Sequence, residues 1–82
     1  ALNYAAYTLA ERGEQLEQAT QYAERAIARE PQNGFYIDTL GWIYYQQDDF
    51  EKARDTFTQA LRFSPRDSVI TLHLAQSLEK LR

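Results

Sequence analysis

An all-α fold built from tandem antiparallel helix hairpins is predicted by three observations. The first is an internal repeat: Ile37, Leu40, Gly41, Tyr44, Phe50, Ala53, Phe57, Ala60 and Pro65 answer, place for place, Leu2, Ala5, Ala6, Leu9, Leu16, Ala19, Ala23, Ala26 and Pro31. The second is periodicity. Apolar residues at 37, 40, 41 and 44, then at 50, 53, 57, 60 and 61, follow the face of a helix and not the alternation of a strand. The third is punctuation, because Pro31 and Pro65 lie 34 residues apart and each closes a helical run. A fixed period of this size marks a solenoid of stacked hairpins.

Five helices are expected, near 2–12, 16–30, 35–47, 50–63 and 68–81. Gly13 ends the first in the left-handed conformation. Pro31 forces Glu30 out of the α region and closes the second, and Asn33-Gly34 supply the turn and cap before the third. Asp48 stands in the next turn, and with Glu51 three residues later it predicts a capping box for the fourth helix. Pro65 closes that helix at Ser64, and Arg66-Asp67 open the fifth. Leu2 to Ile37 spans 35 residues, so the first copy carries one extra residue between Leu9 and Leu16, in a turn where an insertion costs little. The expected division of the single domain is therefore 1–33, 34–67 and a partial repeat or capping helix over 68–82.

Length and composition limit the function. A solenoid usually needs about three copies to bury a continuous core. This chain of 82 residues has two and a half, and it begins inside a helical pattern without a methionine, as a segment of a longer repeat protein would. It contains no cysteine, so no disulfide forms and the compartment is left open. No stretch approaches the roughly 20 apolar residues of a membrane span, and no signal peptide is visible. Direct membrane insertion is not expected. The net charge is −3, and the seven arginines and two lysines are interleaved with acids, as in Glu24-Arg25, Arg29-Glu30 and Glu51-Lys52. Nucleic-acid binders gather Lys and Arg on one face, so these charges are solvated helix surface and no nucleic-acid partner is expected.

Catalysis finds few residues to use. His73 has no cysteine or second histidine with which to share a metal, and common sites need three or four ligands, so it is expected as a partly exposed helix-face residue. The adjacent carboxylates Asp48 and Asp49 serve a helix start better than acid–base chemistry, which needs two groups converging on one substrate. No Ser-His-Asp arrangement and no phosphate-cradling glycine run is present. The chain is expected not to be an enzyme and to carry no metal or cofactor.

The run Leu40-Gly41-x-x-Tyr44, followed by Phe50, Ala53, Phe57, Ala60 and Pro65, resembles the tetratricopeptide repeat (TPR) at nearly every signature position. Ile37 stands where that family often has tryptophan, and Asp48 where it usually has the inter-helix glycine, a substitution the left-handed tolerance of Asp accommodates. The first copy is weaker, with Ala5, Ala6 and Ala23 where the family often puts Leu, Gly and Tyr, and the third keeps Leu74, Ala75 and Leu78 before stopping after one helix. The resemblance implies a right-handed α-solenoid whose first helices line a concave groove. Segments such as Leu2-Asn3-Tyr4 and Asp38-Thr39-Leu40-Gly41-Trp42 further resemble the final repeats of bacterial proteins of this family, several of them envelope lipoproteins that organise complexes. That implies a scaffold in the bacterial cytoplasm or, through parts of the protein not present here, at the envelope.

Six of the eleven aromatic residues fall between 35 and 50. Ile37, Leu40, Gly41 and Tyr44 are expected to face the partner helix of their own repeat, and Tyr36 and Ile43 the second helix of the repeat before. Phe35, Asp38, Trp42 and Tyr45 form a separate stripe, spaced i, i+3, i+7 and i+10. By the resemblance, this stripe lines the groove together with Asn3, Tyr7, Ala10 and Glu11 of the first copy and Val69, Leu72, Gln76, Glu79 and Lys80 of the third. Family members that grip charged chaperone C-termini use Lys, Asn and Arg at such positions, and Asp38, Trp42 and Tyr45 do not carry that clamp over.

The expected function is a non-catalytic scaffold that binds a peptide or protein segment through the aromatic stripe, because Trp and Tyr bury large areas while keeping a polar edge. The alternative is a structural segment that extends or dimerises a longer solenoid. Leu74, Leu78 and Leu81 form an apolar face of the last helix that a following helix, or a second chain, would cover. A third possibility is an accessory domain of a repeat-bearing enzyme whose active site lies outside these residues.

Overall fold

The structure, a computed structural model, describes residues 15–82, so the expected helix near 2–12, with Asn3, Tyr7, Ala10 and Glu11, and the turn at Gly13 lie outside the described residues. Among the described residues there are four helices and no strand: α1 (Leu16–Arg29), α2 (Gly34–Gln46), α3 (Phe50–Phe63) and α4 (Ser68–Lys80). Each starts and ends within one residue of the bounds expected from periodicity.

Local chemistry accounts for these boundaries. Glu30 and Ser64, each preceding a proline, sit at φ −139 and −136, outside the α region, and terminate α1 and α3. Asn33 caps α2 by accepting from the Tyr36 N–H at 3.1 Å, and Asp67 caps α4 by accepting from the Val69 and Ile70 N–H groups at 2.9 and 3.1 Å. The α3 cap differs from the expected Asp48–Glu51 box. Asp49 is the capping residue and accepts from the Lys52 N–H at 3.3 Å, while Asp48 adopts φ 61. The two adjacent aspartates divide the tasks, Asp48 making the left-handed turn and Asp49 the cap.

Helix α2 is the centre of the packing. On one side Ile43 meets Ala19 and Ala23 of α1, with Leu16, Tyr22, Leu40 and Trp42 around them. Near the turn, the Tyr36 hydroxyl donates to Glu30 at 3.2 Å, and the charge of that carboxylate raises the phenol above its ordinary pKa. On the other side Ile37 joins Ala53, Phe57 and Ala60 of α3 and Ile70 of α4. Phe57 is fully buried, a burial worth roughly 1.5–3 kcal/mol. A Cβ on Gly41 would lie 2.6 Å from Cε1 of that ring, so glycine is what lets α2 and α3 approach this closely. Helix α4 packs on α3 and touches α2, which sets the two first helices of successive hairpins, α2 and α4, beside each other.

Candidate protein-binding groove

The period of 34 residues gives α2 and α4 a common register: Phe35 corresponds to Val69, Asp38 to Leu72, Trp42 to Gln76 and Tyr45 to Glu79. Phe35, Val69 and Leu72 are 51%, 50% and 56% exposed, a large amount for apolar side chains. Trp42, Tyr45 and Gln76 are half-buried. Asp38, expected to present its carboxylate to the groove, is only 2% exposed.

The carboxylate of Asp38 is taken up by His73, whose Nδ1 lies 2.8 Å from Oδ1. His73 itself is 6% exposed, which corrects the expectation of a partly exposed helix-face residue. The reason is register. Ile70, His73 and Ser77 line one side of α4, and all three are buried against the preceding repeat, as Thr39 and Ile43 are on α2. Ser77 donates its hydroxyl to the His73 carbonyl at 3.0 Å, and Thr39 does the same to the Phe35 carbonyl at 3.1 Å, so these two hydroxyls are satisfied inside their own helices.

The Asp38–His73 pair also fixes an aromatic array. Trp42 stacks on Tyr45 with ring centres 4.9 Å apart and on His73 at 4.4 Å, and Tyr45 meets the Phe50 ring edge-on at 5.1 Å. His73 touches the core ring Phe57 as well, at 5.3 Å. The groove-side tryptophan is thereby tied through one imidazole to the centre of the domain. Trp42 Nε1 and Gln76 Oε1, a donor and an acceptor, are occluded without a hydrogen-bond partner. Such groups are few in native proteins.

Of the face Leu74, Leu78 and Leu81, Leu74 packs half-buried against the α3 cluster, while Leu78 and Leu81 are 46% and 37% exposed. Among the described residues no group of three metal-ligating side chains assembles, and no helix is long and apolar enough to cross a membrane.

The family model of the tetratricopeptide repeat matches residues 35–67, which run from Phe35 at the start of α2 to the cap of α4. The chain belongs to the tetratricopeptide-repeat family. It is similar to the TPR repeat-containing protein PA4667 of Pseudomonas aeruginosa, at 33% identity over 76 residues that make up 93% of this chain and 13% of that protein. The chain thus spans about an eighth of the length of the curated relative it matches. Tetratricopeptide repeats are generally non-catalytic protein–protein interaction modules.

Proposed function

We propose that the chain is a non-catalytic module that holds a peptide or protein segment of a partner in the concave groove between α2 and α4. The observation that carries this reading is that Phe35 on α2 and Val69 and Leu72 on α4 are exposed apolar side chains on the register stripe that also holds the half-buried Trp42 and Tyr45. Isolated exposed apolar residues are ordinary, but their recurrence along one register stripe of two packed helices, with aromatic side chains in the same stripe, is what a binding surface requires. Trp42 is the expected anchor. Trp42→Ala should weaken binding of a peptide selected on this chain by about 2 kcal/mol or more. Because Trp42 also contacts both apolar clusters, the cleaner variant is Leu72→Glu, which alters an exposed residue and should weaken binding without lowering the melting temperature. Peptide affinity indifferent to both variants would sink the groove reading.

A second reading, self-association of a longer solenoid, is favoured by Leu78 and Leu81, which expose apolar surface on another side of α4. Sedimentation equilibrium separates the two. A chain that stays at 9.6 kDa across concentration, with or without Leu78→Glu, removes the second reading and leaves the first.

A further inference from the structure

We propose that Asp38 and His73 are positioning residues for binding: their hydrogen bond holds the Trp42 indole ordered in the free chain, so that a partner meets an anchor already in place. Neither residue touches the partner. The inference rests on the groove reading above and adds the pair that prepares its anchor.

Rings run from the core to the groove. Phe57 is fully buried, His73 lies 5.3 Å from it, half-buried Trp42 lies 4.4 Å from His73, and half-buried Tyr45 lies 4.9 Å from Trp42. Among these four the imidazole has a directional bond, with Nδ1 2.8 Å from Asp38 Oδ1; a carboxylate can only accept, so His73 donates. The last side-chain torsion of a histidine is otherwise broad, and the bond restricts it. The indole stacks within 26° of the imidazole plane, so fixing one ring fixes the surface on which the other rests. Asp38 stands on α2 one turn before Trp42, and His73 stands on α4, so the same bond joins the two helices that line the groove.

Stability alone does not call for this pair. Both groups are buried, and two apolar side chains of similar size would join α2 to α4 about as well, because the desolvation of such a pair offsets most of what its bond contributes. What a hydrogen bond adds to apolar packing is direction. The repeat does not impose the pair either. The counterpart of Asp38 is the exposed Leu72, and the counterpart of His73 is Thr39, which bonds to the Phe35 carbonyl of its own helix. A loose indole would have to be immobilised as the partner binds, which weakens affinity roughly two- to tenfold, whereas an indole stacked on a fixed imidazole is ordered when the chain folds.

The test uses the intact 82-residue chain and a peptide selected on it from a displayed random library. The single tryptophan gives one indole N–H resonance, and its heteronuclear relaxation reads the order of that ring. In the unaltered free chain the indole should be as ordered as the helix backbone, with an order parameter of about 0.85. A mobile indole there would overturn the proposal whatever the variants do. Asp38→Asn keeps an accepting Oδ1 and should preserve both the order of the indole and the affinity. Asp38→Leu combined with His73→Phe removes both polar groups and keeps a ring beside Trp42, so the chain should still fold, as circular dichroism checks. In that double variant the indole should become mobile and the affinity should fall roughly two- to tenfold. An ordered indole and unchanged affinity in the folded double variant would overturn the positioning role and leave the pair purely structural. Full affinity in the double variant alongside loss of binding in Leu72→Glu sinks the positioning role alone, whereas binding that ignores Leu72→Glu removes the groove reading beneath it.

Discussion

Helices α2 and α4 hold equivalent places in successive repeats, yet opposite sides of them differ in fate. The side that meets the preceding repeat is buried in both, at Thr39 and Ile43 on α2 and at His73 and Ser77 on α4. The side that meets the second helix of the same hairpin is buried on α2, where Ile37 and Gly41 lie under α3. At the matching positions of α4, Thr71 and Ala75 are exposed, and so is Leu78, the counterpart of half-buried Tyr44. Among the described residues α3 covers α2 in this way and no helix covers α4. Burial in this chain is therefore conferred by the neighbouring helix, and identical register does not guarantee it.

The largest effect should come from forcing that difference at one register position. Gly41→Leu drives a side chain into the fixed Phe57 ring and should cost about 1–3 kcal/mol or more, whereas Ala75→Leu, one period later, should stay within about 0.5 kcal/mol. Thermal or denaturant melts of the two variants give the contrast. Equal losses would mean that α2 and α4 are packed alike.

Next comes the inter-repeat pair. Asp38→Ala leaves the His73 imidazole buried with its Nδ1 unpaired and should destabilise by about 2 kcal/mol, while Leu72→Ala at the same register should be close to neutral. A double-mutant cycle of Asp38→Ala with His73→Ala should return an interaction energy of about 0.5–3 kcal/mol. A value of zero would show that the 2.8 Å contact contributes nothing to joining the repeats.

The smallest effect lies in the α2–α3 turn. Asp48 holds φ 61, a conformation glycine adopts at no steric cost, so Asp48→Gly should stabilise by a few tenths to about 1 kcal/mol. Asp49→Ala, which removes the actual cap, should instead destabilise by about 1 kcal/mol. The opposite signs at adjacent aspartates check the division of labour between turn and cap.

The helices were legible in the sequence because their causes are local or periodic: prolines fix the ends, Asn33 and Asp67 supply caps, and small residues recur where helices cross. The core-facing positions of α2 were legible for the same reason, with Ile43 against α1 and Ile37 and Gly41 against α3, whereas Asp38, expected in the groove, is buried on His73. The Asp48–Asp49 turn was only half legible, since two identical neighbours compete for one cap and the backbone angle decides between them. The burial of His73 does not follow from its lack of ligand partners. Its position 34 residues after Thr39, between Ile70 and Ser77, was the signal that it points into the preceding repeat. Its bond to Asp38 spans two repeats and depends on how α4 is set against α2, which no local pattern encodes.

The most direct test of the groove as the binding surface is amide and indole chemical-shift mapping of the isotopically labelled chain with a selected peptide. The account predicts perturbations concentrated at Phe35, Trp42, Tyr45, Val69, Leu72 and Gln76, on the adjoining sides of α2 and α4. Perturbations gathered instead at Leu74, Leu78 and Leu81, or along the outer surface of α3, would contradict it.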